Sequence, residues 1–595
     1  MGLLQQAIKT YDMMDKIGLV GKYEEGKEPL APIAHILASP QIKITLNKDG
    51  EFVLAEKINE KIIIPVTEES SGRTSSAVAH PLCDSIGYIS GIDEKKYNLY
   101  LSALEEWANS SYGDKKIKII IEYVKTKMII NNLENNGFIK RNNEGKVENE
   151  KDLICWRIIG LDDTPDLYKD VNLMNKYILF YTNKKNNESL LLRTCFVSGD
   201  NEIKASQHLK GVVSLNGNAK LISANDSTNF TYRGRFYNSD EALSIGYFSS
   251  QKSHNVIKWL VSNQKVVMGK RVLICWNPNG KELPSTHSPL LTKNIEKKIE
   301  PSNYKKELQS ILYGYKKNIS DYDSVIIASF DAATTGRLSI SYYNELKESD
   351  FLERLEYWDL TCCWYSNKYG VYSPSLREII DCTFGYQRGN DDMSKLETSS
   401  EIISQHMQRL ISCRLDKKKI PIDILKRLVN NSNNLQIYNN ANRRKILFTV
   451  CSIIKKYKND YEKEEVEMAL DVEKKDRSYQ YGRLLAVLEK IEKDTYDRGD
   501  SRETNAIRMQ SVFVKRPAYA TKIVLEQLKN SYYPKLNPGA RTYYDKIIGQ
   551  IMEIISEFDD REYNKPLTET YLLGYYLQQN NMYSKKEDEE EKEDE

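Results

Sequence analysis

The chain has 595 residues, 40% of them hydrophobic, and 86 Lys+Arg against 84 Asp+Glu leave a formal net charge of +2. That length exceeds what one hydrophobic core serves and implies two or three domains. Near-neutrality excludes nucleic-acid binding by bulk charge, so any basic surface has to be local.

Leu4, Ile8, Tyr11 and Ile17 predict a short amphipathic helix within residues 1–20. Asp12 and Asp15, with no long apolar run, read against a signal peptide, and the residues after Gly2 lack the Ser/Thr that myristoylation favours. From Gln41 to Val66 the pattern switches to alternation. "QIKITL" and the run from Glu51 are expected strands joined by Asn47-Lys48-Asp49-Gly50, a hairpin signal because Asp and Gly tolerate positive φ. "KIIIPV" reads as a strand ending at Pro65, and "KIKIIIEYV" (Lys116–Val124), "KYILFYTN", "LLLRTCFVSG" and "RVLICWN" read as further strands.

Residues 1–345 are therefore expected to form a mixed α+β body. "LKESDFLERLEYWDLTCCWY" opens a helical connector over 346–440, and from Ala441 the pattern is almost entirely helical. Five helices over 441–583 imply a C-terminal bundle, with Tyr481, Leu484, Leu485, Leu488 and Ile491 on one apolar face and Pro517 opening a helix. The tail 584–595, "SKKEDEEEKEDE", is acidic and low in complexity and is expected to be disordered. Nine scattered cysteines suit a reducing compartment, and the lack of an 18-residue apolar run predicts no membrane span, so the expected location is cytoplasmic.

Catalytic sets are hard to find. "EESSGRTSSAVAHPLCD" (Glu68–Asp84) holds Ser, His80, Cys83 and Asp84, but no G-x-S-x-G elbow surrounds its serines. Leu82, Cys83 and Ile86 read as buried packing residues. "GKYEEGKE" (Gly21–Glu28) imitates a phosphate loop, yet Glu28 stands where Ser/Thr would hold magnesium, and Glu24 and Glu25 would repel phosphate. Cys362 and Cys363 are adjacent, which cannot form a C-x-x-C knuckle. The six histidines are far apart in sequence, and no metal or other cofactor is implied.

Features that suit nucleic acid are better represented. Arg73 sits between Gly72 and Thr74-Ser75, a pattern that offers close backbone approach, a bidentate fork and neutral donors to a phosphate. Ser206–Phe236 carries Lys210, Asn216, Asn218, Lys220, Asn225, Arg233 and Arg235, interleaved with Tyr232 and Phe236. Asn can read base edges, while Arg grips phosphate or enters a groove. Ser250, Gln251 and Lys252 are expected just before a helix whose N-terminus could bind an anion.

Seven segments in order, "LLQQAIKTYD", "GRTSSAVAHPLCDSIGYISG", "RTCFVSGD" with "HLKGVVS", "ALSIGYFSSQKSHNVIKWLVSNQ", "SFDAATTGRLSISYY", "DRSYQYGRLLAVLE" and "LTETYLLGYYLQ", give the chain its resemblance. It resembles the large subunit of the type I-C CRISPR surveillance complex (Cascade), the Csd-one or Cas-eight-c family. The resemblance implies a non-enzymatic subunit that recognises the protospacer-adjacent motif (PAM) of target double-stranded DNA and helps part the duplex for guide-RNA pairing in an R-loop. It implies that the C-terminal bundle lies along the displaced strand. The partners it implies are the guide-RNA complex with its backbone and hook-like subunits, and a separately recruited helicase–nuclease. Related loci make a small subunit by internal translation, and Met468 is the candidate start here. The resemblance assigns no PAM residues. Residue chemistry alone singles out Arg73, Thr74, Ser75, Lys210, Lys220, Asn225, Arg233, Arg235, Gln251 and Lys252. The rival readings are a purely structural assembly subunit, or a guide-RNA processing nuclease using His208 or His254.

Overall fold

The computed structural model describes residues 2–73, 77–188, 192–213, 217–223, 234–294, 298–316, 323–334, 336–389, 391, 393–497, 500, 502–559 and 561–593. Two compact units emerge. The first comprises Met1–Glu282 and Asp323–Leu346, and the second Leu283–Tyr322 and Lys347–Glu595.

In chain order the first unit contains α1 (Leu3–Lys16), β1 (His35–Ala38), β2 (Ile42–Asn47), β3 (Phe52–Lys57), β4 (Ile62–Pro65), α2 (Glu68–Ser71), α3 (Ile86–Ile89), α4 (Glu94–Ala108), α5 (Lys115–Lys125) and α6 (Ile129–Asn135). There follow β5 (Ile154–Ile159), α7 (Val171–Glu188), β6 (Leu192–Thr194), β7 (Asn201–Ile203), α8 (Ser239–Ala242), α9 (Tyr247–Gln264), β8 (Val266–Met268), β9 (Arg271–Trp276), β10 (Ser324–Thr334) and β11 (Arg337–Lys347). The mixed α+β class expected from the sequence is what the elements show.

Two cores build this unit. In one, β2 lies between antiparallel β3 and parallel β5. Its buried Ile42, Ile44, Leu46, Trp156 and Ile158 pack with Ile117, Ile120 and Val124 of α5 and Tyr177 of α7. The expected β2–β3 hairpin is present, with Gly50 at φ 84. In the other, the sheet ordered β11-β10-β9-β8 presents Val272, Ile274, Trp276, Ile326, Ala328 and Phe330 to α1 and α9. Thr10 of α1 accepts the indole N–H of Trp276 at 3.0 Å.

Two expected strands are helices. "KIKIIIEYV" lies in α5, where Asp114 caps the Lys116 amide and Ile117, Ile120, Ile121 and Val124 form a buried face at helical spacing. The isoleucine run masked that period. "KYILFYTN" lies in α7, with Met174, Tyr177 and Tyr181 buried four residues apart or nearly so. Among the described residues of "LLLRTCFVSG", Leu192–Thr194 is strand.

The second unit is predominantly helical: α10 (Pro301–Lys316), α11 (Glu348–Thr361), α12 (Leu376–Phe384), α13 (Ser400–Leu415), α14 (Ile422–Ser432), α15 (Asn440–Tyr457), α16 (Arg477–Lys493), α17 (Asn505–Arg508), α18 (Gln510–Lys515), α19 (Pro517–Ser531), α20 (Pro538–Ser556) and α21 (Thr570–Glu593). Residues 283–322 join it through a buried ion pair. Asp359 accepts from Arg414 at 3.2 Å and from the Leu290 amide at 2.7 Å, while Arg414 donates to the Ser288 carbonyl at 2.7 Å. The helical backbone of α21 continues through the acidic run to Glu593, where no regular structure was expected; Glu and Lys are strong helix formers and extend the preceding turns.

The tightest packing in this unit is between α16 and α21. A Cβ at Gly482 would stand 1.9 Å from the Tyr571 carbonyl oxygen, and one at Gly574 2.1 Å from that of Tyr479. Both obstacles are backbone, so neither can rotate away. Gly482→Ala or Gly574→Ala is expected to destabilise the second unit by about 2–3 kcal/mol through overpacking, and to lower Tm by about 5 °C or more. Gly549→Ala in exposed α20, where a Cβ meets nothing within 4 Å, is expected to stabilise by about 0.5–1 kcal/mol. Thermal unfolding of the three variants checks both signs.

Four histidines of the first unit are buried and held neutral. Burial pushes His35, His80 and His254 down to about 4 and His208 to about 3. Their folded pKa values lie below the unfolded one, so the unfolded chain binds the extra protons as pH falls. The stability they confer is intact above about pH 6.5 and declines toward pH 3–4, by up to about 1.4 kcal/mol per pH unit for each histidine. Urea midpoints at pH 7 and pH 5 should therefore differ strongly; equal midpoints would refute the burial of these rings.

Candidate nucleic-acid interface

Of the sequence-selected residues, Arg73, Lys210 and Lys220 are neighbours in the first unit, and they differ in what they are free to do. β4 runs into α2, a single turn fixed by a capping box: the Ser70 amide donates to Thr67 Oγ1 at 3.0 Å and the Thr67 amide to Ser70 Oγ at 2.9 Å. Arg73 follows. Its guanidinium faces inward and grips Asp84 with both prongs, Nη1 to Oδ2 at 2.8 Å and Nη2 to Oδ1 at 2.6 Å. It also donates to the Val78 carbonyl at 2.7 Å and lies 4.7 Å from the Tyr88 ring centroid. Burial opposes its charge, but Asp84 overcomes this and holds its pKa above the ordinary value. The phosphate fork expected from the sequence is thus engaged by a carboxylate of the same loop. Asp84 also accepts the amides of His80 and Ser85, both at 2.7 Å.

Gly72 has a local reason too. A Cβ there would lie 2.2 Å from Gln207 Oε1, so the open space beside the glycine holds a side chain of the 204–221 segment. The described residues of that segment have little regular structure. It is held by single bridges, Lys204 to Gly246, Lys210 to Lys220 and Lys220 to Arg337, and by Glu68. Glu68 is buried, and its Oε1 accepts the amides of Ser206 at 2.5 Å and Gln207 at 2.8 Å. Its Oε2 takes Lys185 Nζ at 2.5 Å.

Lys210 and Lys220 are half-exposed, as are Arg73 and Lys252, but those two are held by Asp84 and Asp12. Lys210 Nζ donates to the Arg73 carbonyl at 3.1 Å. Burial first, then the positive charges of Lys220 and Arg73, hold Lys210 below the usual lysine pKa. Three cations therefore share one neighbourhood, and Asp84, the carboxylate that pairs with Arg73, already has both oxygens doubly engaged. Arg235 is exposed. Thr74, Ser75, Asn225 and Arg233 lie outside the described residues.

The expectation for Ser250, Gln251 and Lys252 is corrected. They lie inside α9, not before it, and the end of α9 carries its own anion: Glu202 accepts from the Ser249 amide at 3.1 Å and from Ser249 Oγ at 2.5 Å. Gln251 is buried. Lys252 pairs with Asp12 at 2.6 Å and lies over the Tyr11 ring, so it ties α9 to α1. His208 and His254 stack at 5.7 Å, and their Nδ1 atoms meet Ser250 Oγ at 2.8 Å and the Ser250 carbonyl at 2.7 Å. Both rings are buried and neutral near pH 7, an arrangement that suits packing and gives no protonated acid for RNA cleavage.

A second basic surface, in the helical unit, escaped the sequence reading. α19 exposes Tyr519, Lys522, Glu526 and Lys529 along one face, and exposed Lys515 and Arg516 lead into it. The signal was legible as a helical stripe of cations with one aromatic.

Among the described residues, no group of three His, Cys, Asp or Glu side chains is placed to hold a metal ion, and no helix is long and apolar enough to cross a membrane. A comparison with curated proteins found no match. The family described as CRISPR-associated protein (Cas_Csd1) matches residues 19–583, nearly the whole length of the chain. The chain therefore belongs to the Cas_Csd1 family of CRISPR-associated proteins.

Proposed function

We propose that the chain is the large, non-catalytic subunit of a type I-C CRISPR surveillance complex, and that it grips the backbone of target duplex DNA beside the PAM through Lys210 and Lys220. The observation that carries this reading is the clustering of Lys210 and Lys220 with Arg73, whose own carboxylate partner Asp84 has no remaining capacity. Cations held together in a partly desolvated place repel one another until an anion arrives, and a phosphodiester supplies that anion. Arg73 acts as the strut of the loop. Thr74, Ser75, Asn225, Arg233 and Arg235 remain candidates for base or backbone contact in the same segments.

Sequence is read by guide-RNA pairing, and R-loop formation is a near-balanced exchange of duplexes, so this subunit need only favour the first opened steps. The α19 face suits the displaced strand: Tyr519 offers a stacking surface and Lys522 and Lys529 offer phosphate contacts. Recruitment of a helicase–nuclease by the assembled complex completes the reading.

The assembled complex with guide RNA, tested against duplexes with randomised PAM positions, checks this. Lys210→Ala and Lys220→Ala are expected to weaken binding to all PAM sequences alike and to reduce the salt slope by about one each. Lys522→Ala with Lys529→Ala should weaken capture of the displaced strand and leave PAM preference intact. A wild-type complex with no PAM preference would favour the purely structural assembly role instead.

Met468 lies in the irregular stretch before α16, and residues 468–595 retain α16 to α21, including the close α16–α21 pair. That supports a separate small subunit made from an internal start. Expression of the intact gene should yield a second product beginning at Met468, absent in a Met468→Leu variant; a product pattern unchanged by that variant would exclude this start.

A further inference from the structure

Lys210 and Lys220 sit on a segment with almost no ladder of its own, yet a phosphate grip requires them at a fixed separation. Two single bridges, Lys210 to Lys220 and Lys220 to Arg337, and the hydrogen bond from the Gly211 amide to the Ala219 carbonyl, 3.1 Å, hold the two lysines to each other and to β11, while Lys204 bridges to Gly246 ahead of α9. Against α2 and α7 the backbone of the segment is held by Glu68, beside the side-chain contacts of Gln207 with Gly72 and of Lys210 with the Arg73 carbonyl.

One carboxylate oxygen of Glu68 accepts two successive amides, Ser206 and Gln207. The other holds the ammonium of Lys185, which lies over the rings of Tyr181 at 5.8 Å and Tyr247 at 5.4 Å. The backbone of Glu68 is itself anchored, its amide donating to the Tyr181 hydroxyl at 2.8 Å. Elements α2, α7 and α9 thus converge on this one side chain. The two clamped amides set the direction of the chain that follows. His208 turns inward to Ser250, and Lys210 reaches the Arg73 carbonyl. A buried ion pair is weak evidence for stability, since burial of both charges offsets much of their attraction; its best-attested use is to fix register. Two amide donors on one buried oxygen serve that use directly.

We propose that Glu68 is a positioning residue for nucleic-acid binding: it clamps the backbone at Ser206 and Gln207 and thereby sets where Lys210 and Lys220 meet the phosphates. This rests on the reading of those lysines as a DNA-backbone grip. No contact between Glu68 and nucleic acid is involved, because the carboxylate is 1% exposed.

The test uses the full chain assembled with guide RNA, with Glu68→Ala, Glu68→Gln and the Lys210→Ala/Lys220→Ala pair. Two quantities are read: hydrogen exchange of the amides over 204–213 without DNA, and the salt dependence of binding to a PAM-containing duplex. Glu68→Ala is expected to speed that exchange at least about tenfold, to weaken duplex binding about tenfold, and to flatten the salt slope by about one to two, as the double lysine variant does. Partial loss of folded protein would lower the bound amplitude and leave the slope unchanged, so the slope separates positioning from mere stability. Glu68→Gln keeps an oxygen for both amides and should fall between Glu68→Ala and wild type. If Glu68→Ala does not assemble, Glu68→Gln decides alone: faster exchange with a flatter slope supports the clamp, and wild-type values of both overturn it. Should Glu68→Ala loosen 204–213 and still bind DNA with the wild-type slope, while the lysine variant loses slope, the positioning role is overturned and the DNA grip stands. Wild-type binding by the double lysine variant would remove the grip itself, and with it this role for Glu68.

Discussion

A carboxylate without access to water has to collect its donors from the protein, and in the first unit that requirement falls on Glu68. Its donors come from distant parts of the chain, Lys185 on α7 and the amides of Ser206 and Gln207. Satisfying it therefore brings an otherwise irregular segment against the one-turn helix α2. The core of β2, β3, β5 and α5 supplies the rigid floor, and the sheet of β8 to β11 supplies the second wall through the Lys220–Arg337 bridge. The half-exposed lysines sit where these constraints intersect.

Asp84 imposes a matching constraint on the neighbouring loop. With no exposure of its own it takes both prongs of Arg73 and two backbone amides. Removing Arg73 would leave a buried charge unpaired, an effect of about 3–5 kcal/mol in comparable sites. A residue type that invites the reading of phosphate recognition is here the strut of a loop. The same holds at the start of α9, where Glu202 already provides the negative charge that a helix N-terminus favours. Internal carboxylates have taken two of the anion sites that a sequence would offer to DNA, and on the proposed reading the task falls to Lys210 and Lys220.

How much of this was legible beforehand follows from which interactions are local. The α1 period, the β2–β3 hairpin with Gly50, and Pro517 at the start of α19 are set within a few residues and were readable. α5 was misread because six apolar residues in nine satisfy a strand and a helix equally; the Asp114 cap was the discriminating mark. The site was half legible. Residue type singled out the segments of Arg73 and Lys210, which the fold brings together, but the pairing of Arg73 with Asp84 and the contacts of Glu68 depend on side-chain direction and long-range contact. Gln251 and Lys252 failed for the same reason, since a helix shown from its sequence does not reveal which of its faces meets α1. The passage of residues 283–322 into the second unit likewise rests on long-range contacts, among them Ser288 and Leu290 with Arg414 and Asp359 and the Val371 amide with the Ile299 carbonyl, which have no local signature.

Near-neutral total charge and a DNA-gripping role are compatible once the partners of individual cations are considered. Arg73, Lys185 and Lys252 are all basic residues near the candidate interface, and each is bound to a carboxylate of the same chain. Such pairs contribute nothing to the field felt by a phosphate at a distance, because attraction and repulsion cancel within a Debye length. On the proposed reading, affinity then comes from few contacts and has a shallow salt dependence, which suits a subunit that samples many duplexes and releases most of them. Tight non-specific binding by a strongly basic surface would slow that search. On the same reading, discrimination beyond the PAM is left to guide-RNA pairing, and the geometric task proposed for Glu68 is to hold two lysines in register, a use to which a buried, hydrogen-bonded carboxylate is suited.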